Sequence, residues 1–108
     1  MALNLDDVGS VEGRTAYSFV ECPEVLRREA VRAIAGFEGL TEGEPCYSGD
    51  HMIFVQNGVP TIAFTTEQMA ELMRTVTHTE RDTPDLIDCH KLVDLAHALV
   101  ELVSQAAQ

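Results

Sequence analysis

Apolar and polar positions along the chain follow a changing period, and the changes mark out the elements. Residues 2–5, Ala-Leu-Asn-Leu, read as a short strand that turns at once into Asp6-Asp7-Val8-Gly9-Ser10. Thr15–Val20 is rich in β-branched and aromatic residues and lies between Gly13 and Pro23, so it reads as a second strand. From residue 23 to residue 37 the apolar positions Leu26, Ala30, Ala33, Ile34 and Phe37 take helical spacing, with Pro23 suited to the first turn and Gly36 or Gly39 to the end. Residues 39–49 carry three glycines and Pro45 and read as a loop. A short apolar stretch over residues 50–56 then stops at Asn57-Gly58, as helices commonly do.

Val59-Pro60-Thr61-Ile62-Ala63-Phe64 is nearly continuous apolar sequence, the pattern of a strand buried on both faces, with Pro60 at its beginning where a missing N–H is tolerated. Thr65-x-x-Gln68 has the spacing of a capping box ahead of Met69, Leu72, Met73 and Val76, predicting a helix to about Arg74, with the two methionines as core filling. Residues 77–85 are polar and loop-like. In the last segment Asp88 is placed to cap a helix, Ile87 and Leu92 to form its hydrophobic staple, and Leu92, Leu95, Ala96, Leu99, Leu102 and Val103 to hold its apolar face. Strands alternating with helices predict an α/β fold, a mostly parallel sheet flanked by helices. With about three strands available, that sheet is expected to be incomplete. No repeat, linker or low-complexity segment divides the chain, so residues 1–108 are read as a single domain.

Composition narrows the functions open to this fold. The chain has 108 residues, 45% of them apolar and 23% charged, which is globular composition. A formal charge of −11, with the seven basic residues scattered, argues against nucleic acid, whose phosphates need clustered Lys and Arg. No apolar run approaches the length of a bilayer span, and residues 1–9 have neither the basic nor the apolar region of a signal peptide. Membrane partners are therefore not expected, and the compartment is left open. Cys22, Cys46 and Cys89 are odd in number and far apart, which indicates neither a disulfide framework nor a zinc knuckle.

Metal-competent side chains gather in three segments, each where a regular element gives way to a loop. These are Asn4-Leu5-Asp6-Asp7-Val8-Gly9, Ser48-Gly49-Asp50-His51, and Thr77-His78-Thr79-Glu80-Arg81-Asp82-Thr83-Pro84-Asp85, of which residues 78–83 form the third motif. Ligand sites in open α/β sheets lie at the carboxyl ends of strands, which suits Asp6. Asp7 is the neighbouring alternative, and Asp6 could equally be a turn residue. Asp50 could cap the helix that follows, and His51 could be either buried or site-facing. His90, Asp94 and His97 share one side of the last helix, read as a solvated face.

In that order, and with Gly58-Val59-Pro60-Thr61-Ile62-Ala63-Phe64 between the second and third segments, the motifs resemble the two-zinc aminopeptidase family of metallopeptidases. Glutaminyl cyclases and glutamate carboxypeptidases are related to it. The resemblance runs from about Leu3 to Val103 and implies part of a phosphorylase/hydrolase-like zinc exopeptidase fold. It also implies that Asp6 is a terminal ligand of one zinc, that His78 ligates the other, and that Asp50 stands behind the ligands and orients them.

The implied activity is hydrolysis of an N-terminal peptide bond by metal-activated water, the substrate being a peptide with a free amino end. Departures accompany the matches. The family also uses an upstream His, an Asp bridging the metals and a consecutive Glu-Glu pair that includes the general base; no Glu-Glu occurs in this sequence. Thr77 stands where a Tyr often precedes the metal-binding His. This chain is therefore expected to be the C-terminal part of such a domain, with no catalytic base of its own, inactive by itself and holding zinc weakly or not at all. The alternative from a different class is a non-catalytic binding or assembly module that keeps the fold, with an exposed sheet edge available for homodimer formation.

Overall fold

The computed structural model describes residues 1–106. Among these residues four strands and four α-helices follow one another in the order β1 (Ala2–Leu5), β2 (Thr15–Val20), α1 (Glu24–Ile34), β3 (Leu40–Glu42), α2 (Met52–Gln56), β4 (Thr61–Thr66), α3 (Met69–Thr75) and α4 (Cys89–Ala106), with one 3-10 turn over Pro84–Leu86. The sheet order is β1-β4-β2-β3. β1 runs parallel to β4 and β2 parallel to β3, while β2 and β4 pair antiparallel. The fold is mixed α/β, with two of its three strand pairings parallel.

Strand register explains the core. Side chains alternate across a strand, and the pairings line up Leu5, Phe64 and Tyr17 in one cross-strand row and Leu3, Ile62 and Phe19 in the next. These rows face α1 and α4, which contribute Ala30 and Ile34, and Leu95, Ala98 and Leu102, to one buried cluster. β4 is central, with a neighbour on each edge, and Thr61, Ile62, Ala63 and Phe64 are all buried. Its continuous apolar run is the signature of that double burial.

Several expectations need correction. The loop over residues 39–49 contains β3: the Thr15 N–H donates to the Gly39 carbonyl at 3.0 Å, and this starts a parallel pairing that the glycines and Pro45 concealed. The sheet therefore has four strands, not three. The capping box at Thr65 does not form, because β4 continues through Thr66. It is the Thr66 hydroxyl that accepts the Gln68 N–H, at 3.2 Å, and Thr65 Oγ1 is buried without a partner.

The α4 face is rotated from its predicted position. Leu95, Ala98 and Leu102 are buried and Leu99 is half-buried, while Leu92, Ala96 and Val103 lie exposed with Val93 and Val100. His90, Asp94 and His97 are exposed as expected. Asp88 does cap α4, its Oδ1 accepting the His90 N–H at 2.9 Å.

Candidate functional site

β1 and β4 end side by side, and the segments leaving them build the site. The Asp6 N–H still donates to the Phe64 carbonyl at 3.0 Å, so Asp6 is the last residue held by the ladder. Asp7 then takes φ 56°, the left-handed conformation that Asp enters more readily than most residues, and the chain turns out of the sheet. Gly9 (φ 87°) completes the turn. A Cβ there would stand 2.7 Å from Leu92 Cδ2 and 3.4 Å from Ile87 Cγ2, so the staple of α4 closes over a position only glycine fits. The Gly9 carbonyl accepts the Asp88 N–H at 2.8 Å, which ties the β1 turn to the start of α4.

The opposite side of the site comes from the end of α3. Val76 and Thr77 both donate their N–H groups to the Leu72 carbonyl, at 2.7 and 2.8 Å, and the helix stops. His78 follows in the left-handed region at φ 62°. The Thr79 hydroxyl then organises the loop, donating to the Val76 carbonyl and accepting the Arg81 N–H at 3.2 Å. Asp82 donates its N–H to Thr79 at 3.1 Å, returning the chain toward β1.

The result is one open cleft of about 450 Å³ lined by Asp6 and Asp7 from the β1 turn and by His78 and Asp82 from the loop after α3. Cys46, Ser48 and Gly49, from the loop before α2, form another wall, and Met69 and Met73 of α3 line it as well. The two methionines are thus cleft residues and not core filling; Met73 is 61% exposed. A smaller apolar cavity, about 50 Å³, adjoins Asp7 and Asp82 and is walled by Val8, Leu72, Val76, Leu86 and Ile87. Burial is the main cause that holds the Asp7 carboxyl above its ordinary value of 3.8; the charges of Asp6 and then Asp82 add to it, and His78 pulls the other way.

Of the residues expected at the site, Asp6 and His78 meet in this cleft, although they are 72 positions apart in sequence. Asp50 does not line it. It is exposed on the turn before α2 and forms no side-chain cap there, although its carbonyl accepts the Ile53 N–H at 3.3 Å. His51 is buried, 4% exposed, with Nε2 at 2.7 Å from the Cys46 carbonyl. Asp82 and Cys46 were not singled out as site residues from the sequence. The signal for Asp82 was present in its place four residues after His78 in a polar loop, whereas nothing in the spacing of Cys46 marked it.

Zinc in a catalytic site takes three protein ligands as a rule. Among the described residues no group of three or more His, Cys, Asp or Glu side chains is arranged to hold a metal ion. The donors in this cleft therefore do not fit a self-sufficient zinc site. Also among the described residues, no helix is long and apolar enough to cross a membrane.

The motifs meeting at this cleft have a counterpart among known families: the model of Peptidase family M28 matches residues 1–103. The chain belongs to that family. Membership covers nearly the whole sequence, including both loops that bring Asp6 and His78 together, and it places the chain among peptidases of the metallopeptidase class, which are typically zinc-dependent. Comparison with curated proteins and with solved structures returns no match.

Proposed function

We propose that this chain forms the C-terminal part of an M28-type catalytic domain, one that removes residues from the free amino end of peptides. In this reading Asp6 and His78 are terminal ligands of two zinc ions held jointly with donors outside this chain, and Asp50 is an outer residue that orients the site. The observation that carries the reading is the convergence of Asp6 and His78 on one cleft within a chain matched by the family over residues 1–103. The general base is assigned to a residue outside the 108, since no Glu-Glu pair occurs here. The chain alone is then inactive.

The test is hydrolysis of aminoacyl anilides and short peptides by the natural gene product, beside the same protein carrying Asp6→Ala or His78→Ala, with zinc content measured in each. Release of the amino-terminal residue, loss of activity by about a hundredfold or more in either variant, and no reaction with N-acetylated substrates are the expected results. Full activity and unchanged zinc content in both variants would remove Asp6 and His78 from the site.

A second reading is favoured by the lack of any three-ligand group among the described residues. In it the chain is a binding or assembly module that retains the fold without the chemistry, and the edge strands β1 and β3 are its means of pairing with a second copy. A gene product that neither binds zinc nor hydrolyses any of these substrates, yet elutes as a concentration-dependent dimer, would favour the module.

A further inference from the structure

The loop between β3 and α2 supplies one wall of the cleft. It is fastened to the sheet where the Gly43 N–H donates to the Tyr17 carbonyl at 2.8 Å, and it re-enters regular structure where the Met52 N–H donates to the Gly49 carbonyl at 3.2 Å. Between those points lie its cleft-lining residues Cys46, Ser48 and Gly49, the first and last of which meet the imidazole of His51. Nε2 lies 2.7 Å from the Cys46 carbonyl, and because a carbonyl only accepts, Nε2 must carry the hydrogen. On the other side of the ring Gly49, at φ 125°, comes so near that a Cβ would stand 3.2 Å from Cε1 and Nδ1. The Cys46 thiol completes the turn by donating to the Ser48 carbonyl at 3.0 Å.

A histidine this buried must place its N–H on a protein acceptor, since water is excluded and an unmet donor is costly. Here the acceptor belongs to the cleft wall, five residues back in the chain. We infer that His51 is a positioning residue: its imidazole is the post around which residues 46–49 fold, and it sets where that wall stands relative to Asp6 and His78. His51 itself does not line the cleft, so it acts through Cys46 and Gly49. The inference concerns the wall and holds whether or not the cleft hydrolyses peptides.

Cys46 supplies a readout that does not depend on activity. It is half-buried on the loop, whereas Cys89 is an exposed thiol on α4. In the natural gene product, the alkylation rate of each cysteine by iodoacetamide can be followed on its own peptide by mass spectrometry. In His51→Phe, which keeps an aromatic ring and removes the donor, Cys46 is expected to react about tenfold faster, the scale on which losing one hydrogen bond shifts a local opening. Cys89 should not change. In His51→Gln, whose amide can return an N–H to the Cys46 carbonyl, the rate should come back to within about twofold of the parent.

Gly49→Ala guards against a His51→Phe protein that does not fold: from an exposed position it crowds the imidazole and strains the backbone of the same wall at φ 125°, and should also speed Cys46. An unchanged Cys46 rate in His51→Phe, or in Gly49→Ala where His51→Phe does not fold, overturns the inference. So does a Cys46 rate that rises only together with that of Cys89, which would report general loosening and not release of this wall.

Discussion

Asp7 and Glu67 leave the sheet at the same end, just beyond the carboxyl ends of the parallel neighbours β1 and β4, yet their surroundings push them in opposite directions. Glu67 is held by Arg14, first by its backbone N–H at 2.7 Å and then by its guanidinium at 3.3 Å, so its carboxyl is drawn below the ordinary value of 4.5. Asp7 is partly withdrawn from water and faces Asp6 and Asp82, so its carboxyl is raised. One carboxylate closes a structural contact between β4 and the turn before β2. The other belongs to a group of like charges whose mutual repulsion the fold leaves standing. Carboxyls raised in this way by burial and like charges occur at functional sites and also in structural charge networks.

The comparison depends on a scaffold that both residues share, and breaking that scaffold should have the largest effect. Phe64 stands in one row with Leu5 and Tyr17 and is 1% exposed. Phe64→Ala is expected to cost about 3–5 kcal/mol in urea unfolding, as deletion of a buried aromatic ring does. A cost near that of a surface substitution would mean that this row does not carry the strand ends.

The next effect falls on the Glu67 side alone. Lys91 Nζ donates to the carbonyls of Ser10, Val11 and Gly13, at 2.8, 3.0 and 2.7 Å, and so fixes the turn that presents Arg14. Lys91→Met should lower stability by about 1.5–3 kcal/mol, the range for hydrogen bonds to a charged group. Amide exchange should quicken at residues 10–14 and not at residues 77–82. Equal quickening in both segments would show that the two sides of the site are not separately held.

How far this division could be read from sequence varies by residue. The strand ends could be read: the apolar run into Phe64 and the abrupt turn at Asp6-Asp7 gave β4, β1 and the place of the cleft. The family motifs gave Asp6 and His78 as partners, which spacing alone could not do, since the meeting of β1 with the loop after α3 is a matter of sheet order. β3 was hidden because three residues among glycines and a proline make no period. The Lys91 clamp was hidden for another reason: it joins a helix side chain to carbonyls 78 to 81 positions away, and carbonyls have no sequence signature. The exposed side of α4 was misjudged because Ala98, and not the larger Leu92 or Val103, is fully buried in the core cluster.

A smaller change is expected from Glu67→Gln, and it appears in the pH dependence. A carboxyl whose folded value is depressed contributes stability that is present above 4.5 and is lost as pH falls through the lower folded value. The variant should lack that part of the acid transition while its neutral-pH midpoint moves little, because Glu67 is solvated and such pairs contribute modestly. An acid transition identical to that of the parent would mean that Arg14 does not hold Glu67 in solution.

Asp7→Asn should give the smallest effect, of opposite sign. Asp7 has a folded value above 3.8, so between 3.8 and that raised value the native chain keeps a proton that the unfolded chain has lost. Native protein then binds more protons, and stability falls as pH rises through the window. Asparagine accepts the left-handed conformation at this position and carries no charge to repel Asp6 and Asp82. In the presence of a chelator, Asp7→Asn should therefore be more stable than the parent at neutral pH, by under about 0.5 kcal/mol, the scale of exposed substitutions. The gain should shrink as pH is brought below 3.8. A variant less stable than the parent at neutral pH would falsify the view of Asp7 as an unrelieved charge and make it, like Glu67, a carboxylate with a structural partner.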